Sequence, residues 1–214
     1  MIKLILGFFV IFIVVQACNR TSEYTENSSK ATAAAAAPSA QLIAGDERKK
    51  VVSALTKELD LERDKVEKIS FYSAKGNDRL KSRLEAYISL PDGALPLLRM
   101  KPIYFGDNWI FYESIKVMVD DSVIYERAFN RSDIVRDNSA GSVWETADFV
   151  AKESEIGVLR AIANSKAATI RFSGSERRHD HEVTAKERRD IKKILDAYEQ
   201  LSNDLVRKVE KTAA

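Results

Sequence analysis

The sequence predicts an α+β domain, a curved antiparallel sheet of successive hairpins covered by helices. Three observations carry this. Leu84, Ala86, Ile88 and Leu90 alternate with Arg83, Glu85, Tyr87 and Ser89, the period-two pattern of a half-buried strand. Turn-forming groups, Pro91-Asp92-Gly93, Gly106-Asp107-Asn108 and Asp120-Asp121-Ser122, then separate apolar stretches at hairpin spacing. Finally, Thr184-Ala185-Lys186-Glu187 reads as a capping box opening a helix with the stripe Ile191, Ile194, Leu195, Tyr198, Leu201 and Leu205. Consecutive hairpins of this kind make a meander with one buried face, and helices supply its cover.

Taken in order, Val51, Val52, Leu55 and Leu59 recur at helical spacing behind Asp46 and Glu47 and predict a first helix. Ile69 and Phe71 alternate with polar residues up to the turn Lys75-Gly76-Asn77-Asp78. After the alternating strand and its turn comes an apolar stretch from Leu95 to Met100. The longest strand is expected from Trp109 to Val119, with Trp109, Phe111, Ile115, Val117 and Val119 on its buried face, reversing into Val123 to Phe129. Asn130 to Ser142 reads as a polar loop and Val143 to Val150 as a short apolar piece. Ile156, Leu159 and Ile162 mark a middle helix, and Ala168 to Phe172 a strand closed by Gly174.

Ahead of this domain, Leu4 to Val15 is almost wholly apolar, follows Lys3, and ends in Val15-Gln16-Ala17-Cys18. The run is too short for the roughly 20 residues of a membrane-crossing helix and has the proportions of a secretory h-region. It resembles the lipobox signal peptide of bacterial lipoproteins. That resemblance implies cleavage after Ala17 and lipidation of Cys18, with a diacylglyceryl thioether and, in many bacteria, an amide-linked acyl chain. Asn19 stands where an aspartate retains such proteins in the inner membrane of enteric bacteria, so the resemblance implies the outer membrane, facing the periplasm. The partner is then the bilayer itself, since each buried methylene contributes about 0.8 kcal/mol and two or three chains hold almost permanently.

The expected organisation is a signal peptide over 1–17, a lipidated cysteine and tether over 18–45, and one α+β domain over 46–214. The tether is polar at first (NRTSEYTENSSK) and then rich in small residues (ATAAAAAPSAQ). As a flexible chain of about 27 residues it spans roughly 30 Å. The stretch from Trp109 through Arg171-Phe172-Ser173-Gly174 to Asp196-Ala197-Tyr198 is similar to uncharacterised bacterial lipoprotein domains.

Composition narrows the chemistry. Without Lys3 the mature chain carries 33 basic against 32 acidic side chains, which argues against a dedicated nucleic-acid binder. Cys18 is the only cysteine, and once lipidated it leaves no thiol for a disulfide, a zinc ligand or a nucleophile. No Gly-x-Ser-x-Gly elbow or HExxH helix occurs in the sequence.

Five groups of residues merit weighing. His179 and His181 would point the same way on an extended segment and are weak metal candidates, in a stretch (GSERRHDHE) that reads more simply as a charged connection. Ser173-Gly174-Ser175 with Arg177 and Arg178 suits an anion, or a plain strand-to-helix turn. Glu113 falls on the apolar parity of the long strand, so it is paired with a residue such as Arg171, at a sheet edge, or poised for acid work. Asp133, Asp137 and Asn138 before Gly141 suggest an oxygen-rich loop for calcium, but without EF-hand spacing or a bidentate glutamate, and the stretch reads more simply as a charged hairpin loop. Tyr104, Phe105, Trp109, Phe111 and Tyr112 cluster, and alternation turns half of them outward, either under a helix or as a patch for a protein or glycan.

No cofactor and no catalytic set is indicated. The leading expectation is a membrane-tethered envelope lipoprotein acting as a binding or interaction module, with a carboxylate-pair hydrolase or a structural or stress-related envelope protein as alternatives.

Overall fold

The computed structural model describes residues 41–76 and 80–207; Cys18 and the whole apolar leader lie outside them. The chain enters through β1 (Gln41–Leu42) and α1 (Gly45–Thr56), followed by β2 (Asp60–Asp64), β3 (Ile69–Ser73), β4 (Arg83–Pro91), β5 (Leu97–Gly106), β6 (Ser114–Val119) and β7 (Ser122–Ala128). A 3-10 turn, Arg131–Asp133, leads to β8 (Ile134–Ser139), β9 (Ser142–Ala147) and β10 (Phe149–Val150). Then come α2 (Glu153–Asn164), β11 (Ala168–Ser173), β12 (Arg178–Glu182), α3 (Ala185–Asp204) and β13 (Val206–Arg207). This is an α+β fold with a strongly curled, antiparallel sheet and a long C-terminal helix.

The large sheet runs in the order β2-β3-β4-β5-β9-β8, with β10 also on β5; the smaller one runs β12-β11-β6-β7. A two-residue ribbon, β1 with β13, ties the entry of the domain to its exit. The ribbon and buried Ile43 take the fold back past Asp46, into the stretch expected to be tether.

Alternation places the expected strand face inside: Leu84, Ala86, Ile88 and Leu90 of β4 are all buried. The stripe of α3 lies on β4 and β5, with α1 and α2 beside it. Ile115, Val117, Ile170 and Phe172 of the small sheet join the same core as Leu98, Met100, Leu159, Ile162 and Ile194. The capping box forms as expected: Thr184 accepts the Glu187 N–H, and Glu187 accepts the Thr184 N–H. Among the described residues no helix is long and apolar enough to cross a membrane.

Three expectations are corrected. The strand expected from Trp109 begins only at Ser114, and residues 109–113 form a non-strand segment with Phe111 at φ 50°. The polar loop expected over Asn130 to Ser142 contains β8, joined to β9 by Ala140-Gly141, both at positive φ (51° and 84°), as a tight hairpin turn requires. The charged connection before the last helix is itself a strand, β12, paired with β11 from Thr169↔Glu182 to Ser173↔Arg178.

Candidate recognition surface

For residues 110–112, between β5 and β6, a buried carboxylate takes the backbone N–H groups that a strand would give to a ladder. Glu145 lies on β9 with Val143 and Ala147, on the inward face, and is 0% exposed. Its carboxylate accepts three successive N–H groups, from Ile110 (2.9 Å), Phe111 (2.7 Å) and Tyr112 (3.0 Å). Arg136, directly opposite on β8, closes the set: its Nε donates to Glu145 at 3.0 Å and its Nη2 to the Tyr112 carbonyl at 3.2 Å. Four donors on one buried carboxylate compensate for its desolvation.

Packing fixes the same segment from both sides. Tyr112 is fully buried, edge-on to Phe172 (5.3 Å) and Phe129 (6.0 Å), with its hydroxyl on the Pro102 carbonyl. Burial pushes that phenol well above the usual tyrosine range. Gly174 passes so close that a Cβ there would collide with the carbonyl oxygens of Ile110 and Phe111. The Glu113 N–H donates to Ser173 O, and Phe129 N–H donates to Glu113 O, both at 2.8 Å.

The outcome is an exposed aromatic on an over-determined backbone. Phe111 is 52% exposed at left-handed φ. Its ring stacks on half-buried Trp109 (5.8 Å between centroids, 20° between planes), and the Arg136 guanidinium lies 5.6 Å from its centroid. Arg177 reaches the Trp109 carbonyl at 3.5 Å. A bulky side chain in the left-handed region costs of order 1–3 kcal/mol and persists only where its surroundings enforce it.

The cluster of five aromatics therefore divides. Tyr104 and Tyr112 are buried, Phe105 and Trp109 are half-buried, and Phe111 faces solvent. Phe111, expected inside with Ile115, is outside because the bend at residues 109–113 reverses the parity.

The other candidates are accounted for differently. Glu113 is exposed, and Arg171 makes a bidentate bridge to Asp180 (2.6 Å for each contact) instead. Arg171 holds the Asp180 carboxyl below its usual range. His179 and His181 do lie on one face of β12, but each has its own neighbours. His179 packs edge-on to Tyr104 at 5.2 Å, and burial lowers its pKa. His181 Nε2 lies 2.8 Å from the carboxylate of Glu187. Among the described residues no three histidine, cysteine or acidic side chains converge as a metal site.

The Gly174 N–H is spent on the Arg177 carbonyl at 2.8 Å, so this glycine serves close packing against residues 110–111 rather than an anion cradle. Asp133 accepts the Asn130 N–H as a cap, while Asp137 and Asn138 are neighbours on β8 and point to opposite sides. The oxygen-rich loop does not assemble.

Glu145 and Arg136 are the residues that sequence reasoning passed over. The signal was present: Glu145 sits between Val143 and Ala147 on apolar parity, as Glu113 was expected to do. Compared with protein-family models, curated proteins and solved structures, the chain matches none.

Proposed function

We propose that the protein is a lipid-tethered binding module of the cell envelope, which uses the Trp109–Phe111 pair as its contact surface for another envelope protein. The tether rests on the lipobox-like Val15-Gln16-Ala17-Cys18 after an apolar leader. The binding role rests on one observation: an exposed phenylalanine in left-handed backbone, held by three hydrogen bonds to a buried carboxylate. Rigid aromatics beside arginine are the chemistry enriched at the centre of protein interfaces. Because the loop is fixed beforehand, little ordering entropy opposes association.

Two measurements test this. Mass spectrometry of the mature N-terminus should find acylated Cys18 as the first residue. A membrane pull-down should recover a partner with the wild-type chain and lose it with Phe111→Ala, at unchanged yield of folded protein. An intact, unacylated N-terminus would remove the tether. Cleavage of peptidoglycan or oligosaccharides by the purified protein would replace the binding role with a hydrolytic one.

A further inference from the structure

We infer that β2 is a docking edge for an extended basic segment of another protein, added as one more strand of the large sheet. This surface is separate from the Trp109–Phe111 loop and does not depend on its role.

β2, Asp60-Leu61-Glu62-Arg63-Asp64, is the terminal strand of the sheet, and among the described residues it pairs only with β3. An edge strand turns part of its backbone N–H and C=O groups outward, and these can pair with an incoming chain. Alternation then sorts the side chains. Asp60 and Glu62 stand on the face with Ser73 and Phe71, their direct neighbours on β3, while Leu61 and Arg63 stand on the other face.

Each face borders a depression. On the side of Asp60 and Glu62 a groove of about 700 Å³ is lined by these two carboxylates, by Phe71, and by the Arg83–Glu85 pair and Lys101 on β4 and β5. On the opposite side a second groove, of about 640 Å³, runs between α1 and the sheet; Val52, Leu61 and Leu90 line it together with Arg48, Lys49 and Lys57. Leu61 is 60% exposed at its rim. An added strand therefore sets alternate side chains beside the Asp60 and Glu62 carboxylates on one face and beside exposed Leu61 on the other.

The charges choose the occupant. Neighbouring carboxylates are neutralised internally, Asp92 by Arg63 at 2.7 Å and Glu85 by Arg83 at 2.6 Å. Asp60 and Glu62 have no ion pair among the described residues. A second copy is a poor partner, because two antiparallel β2 strands would set carboxylate against carboxylate on the acidic face, and like charges directly opposite destabilise a pair. The complementary partner carries lysine or arginine at every second position and apolar residues between them.

The test uses the full chain in detergent and a fluorescent five-residue peptide of alternating lysine and valine, read by anisotropy. The peptide should bind, and its glutamate–valine counterpart should not. Replacing Asp60→Lys together with Glu62→Lys should weaken the lysine peptide about tenfold or more and confer binding of the glutamate peptide. A lysine peptide N-methylated at alternate residues should lose binding to the wild-type chain, which keeps the test valid should the double variant not fold. No binding, binding of both peptides alike, or undiminished binding of the methylated peptide would overturn strand addition.

Discussion

Glu145 holds Phe111 in place without touching its ring: the carboxylate accepts the N–H of Phe111 at 2.7 Å and those of the residues on either side. A buried charge on one strand thus sets the conformation of an exposed aromatic in a segment that is not itself a strand.

Removing that charge should free the loop. Glu145→Gln keeps the shape but sets an amide N–H₂ against N–H donors and leaves Arg136 without its carboxylate. Breaking a buried pair in this way costs about 3–5 kcal/mol. A thermal melt should shift accordingly, and tryptophan emission should move to the red as Trp109 loses its stacking.

The backbone at Phe111 gives a sharper sign. At φ 50° a glycine is free of strain and an alanine is not. Phe111→Gly should therefore be more stable than Phe111→Ala by roughly 1 kcal/mol, the reverse of the usual order. Both should lose the partner in a pull-down. Paired chemical-denaturation curves decide the order.

Gly174→Ala should destabilise although no side chain is removed. The added methyl meets the carbonyls of Ile110 and Phe111, and overpacking of this kind costs about 1–3 kcal/mol. By contrast Glu113→Gln, at an exposed position, should stay within about 0.5 kcal/mol of wild type.

Acid should weaken the fold partly through Glu155. Burial alone would raise this carboxyl, but hydrogen bonds from Tyr125 (2.8 Å) and Ser154 (3.0 Å) and the Lys152 N–H outweigh it and lower the pKa. Burial, and then the hydrogen bond to Glu155, push the Tyr125 phenol up to about 12. A carboxyl depressed in the folded state stabilises above its unfolded value, about 4.3, and that contribution is lost as pH falls through the folded one. Melting temperatures of wild type and Glu155→Gln should therefore converge below pH 4 and diverge at pH 6. Parallel curves at all pH values would refute the assignment.

How far the sequence was legible follows from where each strand sits. β4, with a helix on one side, displays its alternation openly, and α3 announces itself through its capping box and stripe. β2, β8 and β12 escaped notice, and all three are edge strands. Their sequences, Asp-Leu-Glu-Arg-Asp, Ile-Val-Arg-Asp-Asn-Ser and Arg-His-Asp-His-Glu, carry the charges that protect an edge and so show no apolar alternation. The aromatic loop was hidden for another reason. Period-two counting assumes straight backbone, and nothing local to Trp109 or Phe111 announces a bend imposed by Glu145, 34 residues downstream of Phe111.

The most direct measurement places a photoreactive benzoyl-phenylalanine at position 111 of the full chain in its own cells, with exposed Lys192 as the control position. Irradiation should give one discrete adduct with an envelope protein at position 111, reduced by Trp109→Ala and by Glu145→Gln, and none at position 192. No adduct at position 111, or equal adducts at both positions, would contradict a recognition role for this loop.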